Sequence, residues 1–382
     1  MVLTYKYKLY HSKRLRKLHR TINIAGVIYN HCVALHKRYY RLYGKYLNKH
    51  KLQKHITKLK KLERFSFWKL VPSQAIQDIT DRIDRAYSLF FKYIKKRRQG
   101  LKPARVSPPG FRKIRKYRSY TLKQAGYRIN GNTIRLGGQK FKFWLSRPIT
   151  GRIKTVTVKR DNLGDFYICI ALEKDLCRPV NTAPGKIVGI DFGLKTFLTL
   201  SDGSKIESPQ YYLAYLRRLQ KQQRKLSRKK KESSHRAVAS RKVARLHKKV
   251  ADCRRDFFHK TANMLAGTYR YIAVEDLNLK AIQKRWGRKV SDYAFGEFLR
   301  ILGYKTHVTA IDRYYPSTKT CHACGYINDS LTLKDRTWQC PDCGALHDRD
   351  RNASINIERV GASTLGTDDV RLASLECQLS LP

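Results

Sequence analysis

"CPDCGALHDRDRN", residues 340–352, sets two cysteines of metal-ligand spacing four residues ahead of an acidic pair, Asp348 and Asp350. A second knuckle, "CHAC" with Cys321 and Cys324, is separated from Cys340 by 15 residues. Two CxxC knuckles at that distance predict four thiolates on a tetrahedron, Cys321, Cys324, Cys340 and Cys343, around a structural Zn²⁺. Gly325 and Gly344 follow the knuckles, where a tight turn needs a left-handed residue. His322 and His347 are further candidate ligands, but four cysteines already saturate the metal. Zinc would fold a ribbon of roughly 25 residues that has no core of its own. The question is why a strongly basic chain puts carboxylates next to such a ribbon.

Working outward, "IVGID" is a compact apolar run ending at Asp191, and "FLTLSDG" reads as its hairpin partner. "YRYIAVED" is a second buried strand ending at Glu275 and Asp276, and "HVTAID" at 307–312 is a third. A helix is expected near 291–304, and another begins where the ribbon ends, with Ala353, Ile357 and Val360 on one stripe. Strands alternating with helices from 187 to 312 predict an α/β core. Three carboxylates from strand ends and a helix start, Asp191, Glu275 and Asp350, can meet at one edge of such a sheet. Their convergence is costly unless divalent cations bind. Two Mg²⁺ roughly 3.5–4 Å apart would activate water and stabilise the leaving oxygen of a phosphodiester. Hard oxygen ligands suit Mg²⁺, with Mn²⁺ able to substitute, better than zinc. Each acid also has an ordinary reading. Asp348 or Asp350 can cap the following helix, and Glu275 or Asp276 can be a loop acid.

Residues 209–265 are long and helical. Val243, Leu246, Val250, Cys253 and Phe257 form a short a/d seam, as do Tyr212, Leu216 and Leu219, so an antiparallel helical hairpin is expected. Its elbow is "RKLSRKKKESSHR". Positions 221–249 hold 13 Lys+Arg and one Glu, a one-sidedness that favours phosphate contact over a merely solvated face.

The N-terminal part reads differently. Leu3, Tyr5, Tyr7 and Leu9 alternate as a strand. Ser12 is placed to cap a helix with Leu15, Leu18, Ile22, Ala25, Cys32 and Leu35 inward. Residues 47–65 repeat a basic helical pattern. Pro72 and Ser73 start a third helix with Ile76, Ile79, Ile83, Ala86, Phe90 and Ile94 on one stripe, stopped at Gly100. After the break "LKPARVSPPG" at 101–110 the period becomes two. Asn130-Gly131 marks a hairpin, and "TVTVKRDNLGDFYICIALE" reads as two strands and a tight turn. Residues 111–180 therefore predict an antiparallel β-unit, a small barrel that the strand at 2–10 can join. "VNTAPGK" at 180–186 is a short linker.

Composition fits these parts together. The chain of 382 residues carries 82 Lys+Arg against 28 Asp+Glu, a net charge of +54. Such a polycation needs a polyanion, and nucleic acid supplies one through phosphate contacts; a ribosomal or architectural protein shares that trait. A hydrophobic content of 42% excludes a disordered basic tail. Residues 1–62 carry 17 Lys+Arg and no acid, interleaved with Tyr5, Tyr7, Tyr10, Tyr29, Tyr39, Tyr40, Tyr43 and Tyr46. That mixture suits backbone tracking with base stacking, about half of these rings being expected to fill core positions instead. Nine cysteines, with Cys32, Cys169, Cys177, Cys253 and Cys377 scattered, fit a reducing compartment, hence a cytoplasmic protein. No signal-peptide core and no run of 18 apolar residues are visible, so no membrane partner is expected.

The segments "VGIDFGLKTFLTLSDG", "YIAVEDLN", "DRYYPSTKTCHACG" and "WQCPDCGALHDRDRNASINI" resemble, in that order, the RuvC-like nuclease segments of the transposon-encoded TnpB family, relatives of type V CRISPR effectors. "SQAIQDITDRIDRAYSLFFK" at 73–92 is similar to the family's N-terminal helix. The match is weakest at 100–180, and Ser354 stands where the family usually has Ala. The resemblance implies a multidomain α+β protein. Residues 1–10 would start a β-barrel (wedge) domain completed at 101–182, with 11–100 a helical recognition domain. An RNase H-like (RuvC) core would span 183–315 and 347–360, with the zinc ribbon at 316–346 and a flexible tail at 361–382.

The resemblance also implies an RNA-guided DNA endonuclease. Its partners would be a structured guide RNA from the transposon end and double-stranded target DNA with a short flanking motif. Asp191, Glu275 and Asp350 match the catalytic acids, and the four cysteines match the ribbon. Base pairing then carries sequence specificity, which accounts for many Lys/Arg and few obvious base readers. Candidate nucleic-acid contacts are Ser73, Gln77 (able to address adenine), Tyr5, Lys229, Lys230, Lys231, Arg241 and Lys319. An unguided RNase H-like nuclease or transposase, or a non-catalytic RNA/DNA-binding regulator, are the competing readings.

Overall fold

The computed structural model describes residues 2–173, 186–193, 196–277, 294–332 and 334–378, with side chains up to Thr364. The expected linker at 180–186 lies, but for Lys186, outside the described residues. The chain divides into two compact units, Met1–Leu176 and Cys177–Pro382.

In the first unit, strand β1 (Val2–Lys8) is followed by helices α1 (Leu15–Tyr43), α2 (Lys49–Leu59) and α3 (Ser73–Arg98). Leu15, Leu18, Ile22, Ala25 and Cys32 are buried on α1, as the apolar spacing requires. Ser12 does not cap α1 with its hydroxyl. Residues 13 and 14 make a tight turn first, and the Ser12 carbonyl accepts the Leu15 amide at 3.1 Å. On α3, Ile76, Ile79 and Ile83 are buried, but Ala86, Phe90 and Ile94 are only partly covered. At about 39 Å the helix outruns the core beneath it.

Strands β2 (Ser119–Leu122), β3 (Tyr127–Asn130), β4 (Thr133–Leu136), β5 (Gln139–Lys142), β6 (Arg152–Arg160) and β7 (Phe166–Glu173) follow. They form two sheets, β1-β7-β6-β2 and β3-β4-β5, linked by a bridge between Leu9 and Phe143. The β3–β4 turn falls one residue later than its Asn-Gly signal, because Asn130 pairs with Thr133 and leaves Gly131-Asn132 as the loop. Helix α3 closes the open β2 edge: Asp78 accepts the Thr121 amide at 3.1 Å and pairs with Arg82 at 2.8 Å.

The second unit is built on a five-stranded sheet of β8 (Ile187–Phe192), β9 (Thr196–Leu200), β10 (Lys205–Glu207), β11 (Tyr271–Glu275) and β12 (His307–Ile311). Its order is β10-β9-β8-β11-β12. The first three strands are antiparallel, and β11 and β12 run parallel to β8. The basic hairpin follows β10 as α4 (Tyr211–Ser227) and α5 (Ser234–Thr268), and α6 (Phe295–Leu302) precedes β12. Strands β13 (Thr337–Gln339) and β14 (Leu346–Asp348) make the ribbon's hairpin, and α7 (Arg349–Gln378) follows. Where a tail was expected from 361, the helix continues. The Ser363 and Thr364 hydroxyls both bond the Val360 carbonyl, at 2.8 Å each, and do not break it.

The sheet is covered on both faces, as parallel strands demand. Val188, Ile190, Ile272 and Val274 pack with Phe258, Ala262 and Leu265 of α5 and Phe298 and Ile301 of α6. The alternate residues, Gly189 and Ala273, face α7. A Cβ on Gly189 would lie 2.0 Å from the Ser354 carbonyl oxygen, and one on Gly361 would lie 2.3 Å from the Ala273 Cβ. Helix α7 thus rests on bare backbone. Gly189→Ala forces α7 off the sheet, and a loss of about 1–3 kcal/mol or more is expected. Chemical denaturation checks it; a variant as stable as the parent contradicts this packing.

Candidate active site and zinc ribbon

Period-two alternation decides where the acids point. Asp191 lies two residues beyond Gly189 on β8, and Glu275 two beyond Ala273 on β11. Both therefore share the face that α7 crosses. Register puts them level, since Ile190 pairs with Val274 and the next step joins Asp191 to Glu275. Helix α7 runs from the carboxyl ends of these strands, past Gly189, toward Ile187 and Ala273. Its first turn therefore delivers Asp350 to Asp191, at the carboxyl edge where open α/β sheets bind ligands.

The three carboxylates are half-buried, and Asp191 feels the charges of the other two. Desolvation is the largest cause that raises the Asp191 carboxyl to about 7, followed by the charges of Asp350 and Glu275, against the opposing pull of Arg349. Burial, then the neighbouring Asp276 charge, raises Glu275. Asp350 is held by cations, with Arg336 at 3.4 Å and Arg349 at 3.6 Å. Among the described residues only the four cysteines bring three or more ligand atoms within 4.8 Å of one another. The acids stand near each other without closing on a point. A set of half-buried carboxylates, one of them raised by the charges of the other two, fits hard divalent cations.

The ambiguity at each acidic pair is resolved by hydrogen bonds. Asp348 caps α7: its Oδ1 accepts the amides of Asp350 at 3.0 Å and Arg351 at 3.1 Å, and its Oδ2 binds Lys205 at 3.0 Å. Those amide bonds and the lysine hold its carboxyl below the usual range despite partial burial. Asp276 is taken by Arg313 at 2.6 Å.

In the ribbon, Cys321 and Cys343 sulfurs are 3.7 Å apart and Cys324 and Cys340 sulfurs 3.6 Å apart. A tetrahedron with 2.3 Å Zn–S bonds needs about 3.8 Å between sulfurs, so the four residues fit Zn²⁺. Gly325 and Gly344 take φ of 84° and 70°, and their amides donate back to the Cys321 and Cys340 carbonyls. The imidazole of His347 packs behind, its Nε2 3.1 Å from Cys321 Sγ.

Two residues that sequence reasoning passed over join ribbon to helix. Asn352 donates to the Thr320 carbonyl at 2.7 Å and accepts from the His322 amide at 3.0 Å. Asn356 donates to the Ser317 and Thr320 carbonyls at 2.9 and 2.6 Å. Both asparagines are buried.

The candidate nucleic-acid residues scatter. Lys229, Lys230, Lys231 and Arg241 are exposed on the hairpin. Arg236 braces the elbow beneath them by donating to the Leu226 and Lys229 carbonyls at 3.0 and 2.9 Å. Ser73 is exposed and Gln77 half-buried near the start of α3. Tyr5 packs against Tyr7 and lies under Arg147. Lys319 is tied within the ribbon to Asp329 at 3.2 Å. Of the eight N-terminal tyrosines, Tyr7 and Tyr29 are buried and Tyr5 and Tyr39 pack against the core, while Tyr10, Tyr40, Tyr43 and Tyr46 are exposed. No described helix is long and apolar enough to cross a membrane.

The family described as "Probable transposase" (OrfB_IS605) matches residues 167–285, and a Cas12f1-like TNB domain matches 295–357. A "Putative RNA-guided DNA endonuclease" of Streptomyces pristinaespiralis is 33% identical over 96% of this chain and 90% of its own length. The "Putative RNA-guided DNA endonuclease InsQ" of Escherichia coli K12 is 26% identical over 93% of this chain and 90% of its own. The fold resembles that in a cryo-EM structure of a Cas12f1–sgRNA–target DNA complex, with a TM-score of 0.52 at 13% identity, over 91% of this chain and 83% of that one. With a relative one-third identical along nearly its whole length, the chain belongs to the transposon-encoded TnpB family.

Proposed function

We propose that this protein is an RNA-guided DNA endonuclease that hydrolyses phosphodiesters at one site, with Asp191, Glu275 and Asp350 as its catalytic acids. One observation carries the reading: the register of β8 and β11 and the start of α7 bring Asp191, Glu275 and Asp350 to one edge of the sheet, where both other acids act on Asp191. A chain with a net charge of +54 does not crowd anions at a sheet edge for stability alone. The three acids would hold two Mg²⁺, or Mn²⁺ in their place. Bound Mg²⁺ supplies the acidified water and the charge stabilisation of the leaving oxygen. Asp348 and Asp276 keep structural roles.

The partners in this reading are a structured RNA from the transposon end and a double-stranded DNA carrying a short flanking motif. The two linked sheets of the first unit act as the wedge barrel. Gln77 and Ser73, at the start of α3, read the flanking motif. Lys229, Lys230, Lys231 and Arg241 track phosphates, with Tyr5 and Lys319 in support. The ribbon at 316–346 carries Zn²⁺ and fixes the start of α7. The setting is the cytoplasm of a prokaryotic cell.

The test is to purify the protein with its co-expressed RNA and offer Mg²⁺ and plasmids with and without a guide match. Cutting of the matched plasmid alone is expected. Cutting of both marks an unguided nuclease, and binding without cutting marks a regulator; either overturns the reading.

A further inference from the structure

A cavity of about 620 Å³ opens in the first unit where β1 runs into α1. Its location follows from strand alternation. Leu9 and Phe143 form a bridge and turn inward, 3% and 0% exposed. The next residue on each strand, Tyr10 and Trp144, must therefore turn outward. Backbone bonds fix both: the Tyr10 amide donates to the Lys142 carbonyl at 2.9 Å and the Trp144 amide to the Lys8 carbonyl at 2.8 Å. The rings stand 6.1 Å apart, tilted by 42°. They remain 48% and 63% exposed, so the fold leaves uncovered the two side chains that bury most area when covered.

The rest of the lining has matching chemistry. Lys13 and Arg16 are exposed cations on the wall. The adjacent Arg14 and Lys17 bond the Lys140 and Gly137 carbonyls instead. His19 lies deeper. The Arg160 guanidinium, which can only donate, binds its Nδ1 at 3.0 Å, so the proton sits on Nε2. Asp165, paired with Lys8 at 3.0 Å, puts one carboxylate on the opposite wall.

We propose that this cavity is a nucleotide pocket that takes one unpaired nucleotide of a bound RNA. The base stacks on the exposed face of Trp144, with Tyr10 at its edge, and its phosphate lies on Lys13 and Arg16. The volume lies within the range of ligand pockets, and paired aromatics beside cations are how proteins hold a single-stranded base. His19 donates to an acceptor on the base edge. Asp165 repels phosphate but accepts from a ribose hydroxyl, which selects RNA over DNA.

The test is binding, independent of the three acids, so its failure and that of the nuclease reading are separate results. Affinities of the full chain for a 12-residue oligouridylate and for the matching deoxyuridylate are measured at about 0.5 M salt, where phosphate attraction is screened. Trp144→Ala and Tyr10→Ala are each expected to weaken oligouridylate binding by about 5- to 150-fold, with Trp144→Phe near the parent. RNA is expected to bind more tightly than DNA, and Asp165→Ala to erase that preference. Ultraviolet cross-linking of oligouridylate to the unaltered protein is expected to label the peptides carrying Tyr10 or Trp144. Unchanged affinity in both alanine variants, labelling elsewhere, or DNA binding as tight as RNA overturns the proposal.

Discussion

Asp191→Ala is expected to reduce guide-directed DNA cleavage on the order of 10³-fold or more, because an acid of a metal-dependent hydrolytic centre acts as a unit with its partners. RNA binding should survive, since the exposed hairpin cations lie on other elements. Gel-shift and plasmid assays on one preparation separate the two effects. Retained cutting would remove Asp191 from the chemistry and with it the proposed centre. A second readout uses stability. The folded Asp191 titrates near 7 against an ordinary value of 3.8. Between those values the folded chain binds more protons than the unfolded one, so metal-free stability falls as pH rises from about 4 to 7. Asp191→Asn should flatten that fall and raise the metal-free Tm at neutral pH, while Mg²⁺ should stabilise the parent more than the variant. A variant with the parent's pH slope would show that the carboxylates do not repel one another as described.

Cys340→Ser is expected to lose zinc, lower thermal stability and depress cleavage together. The ribbon's own core is Cys321, Cys340, Trp338 and a partly covered Leu331, too little to fold about 25 residues without the metal. Its unfolding would release the Thr320 and His322 backbone from Asn352, and so free the first turn of α7 that carries Asp350. Metal analysis, melting and cleavage are measured on the same variant. A zinc-free protein that melts and cuts like the parent would show that the ribbon does not position the acid. Asn352→Ala separates support from metal binding: zinc content should stay at one per chain while cleavage falls.

Much of this was legible because each signal was local and physical. The doubled CxxC fixed the ribbon, and the apolar runs ending in Asp191 and Glu275 fixed the strands that hold them. Asp348 and Asp350 were harder, since either can cap a helix and only the chain's path into α7 shows which does. Gly189 and Gly361 carried no sequence signal of their own; their meaning is the helix that lies on them. The long apolar stripe of α3 misled for a related reason, since periodicity reports an amphipathic face but not how far the core extends beneath it. Asn352 and Asn356 were unreadable because their partners are backbone carbonyls and amides some 30–40 residues away in the chain.

The Arg236 guanidinium, folded under the hairpin elbow, has a consequence for kinetics. Its Nη1 donates to two carbonyls and braces the tip, so in the proposed reading Lys229, Lys230 and Lys231 stand as a prong shaped before any polyanion arrives. A preformed cationic tip loses little entropy on capture. Its encounter rate should be fast in dilute buffer and drop steeply as ions are added.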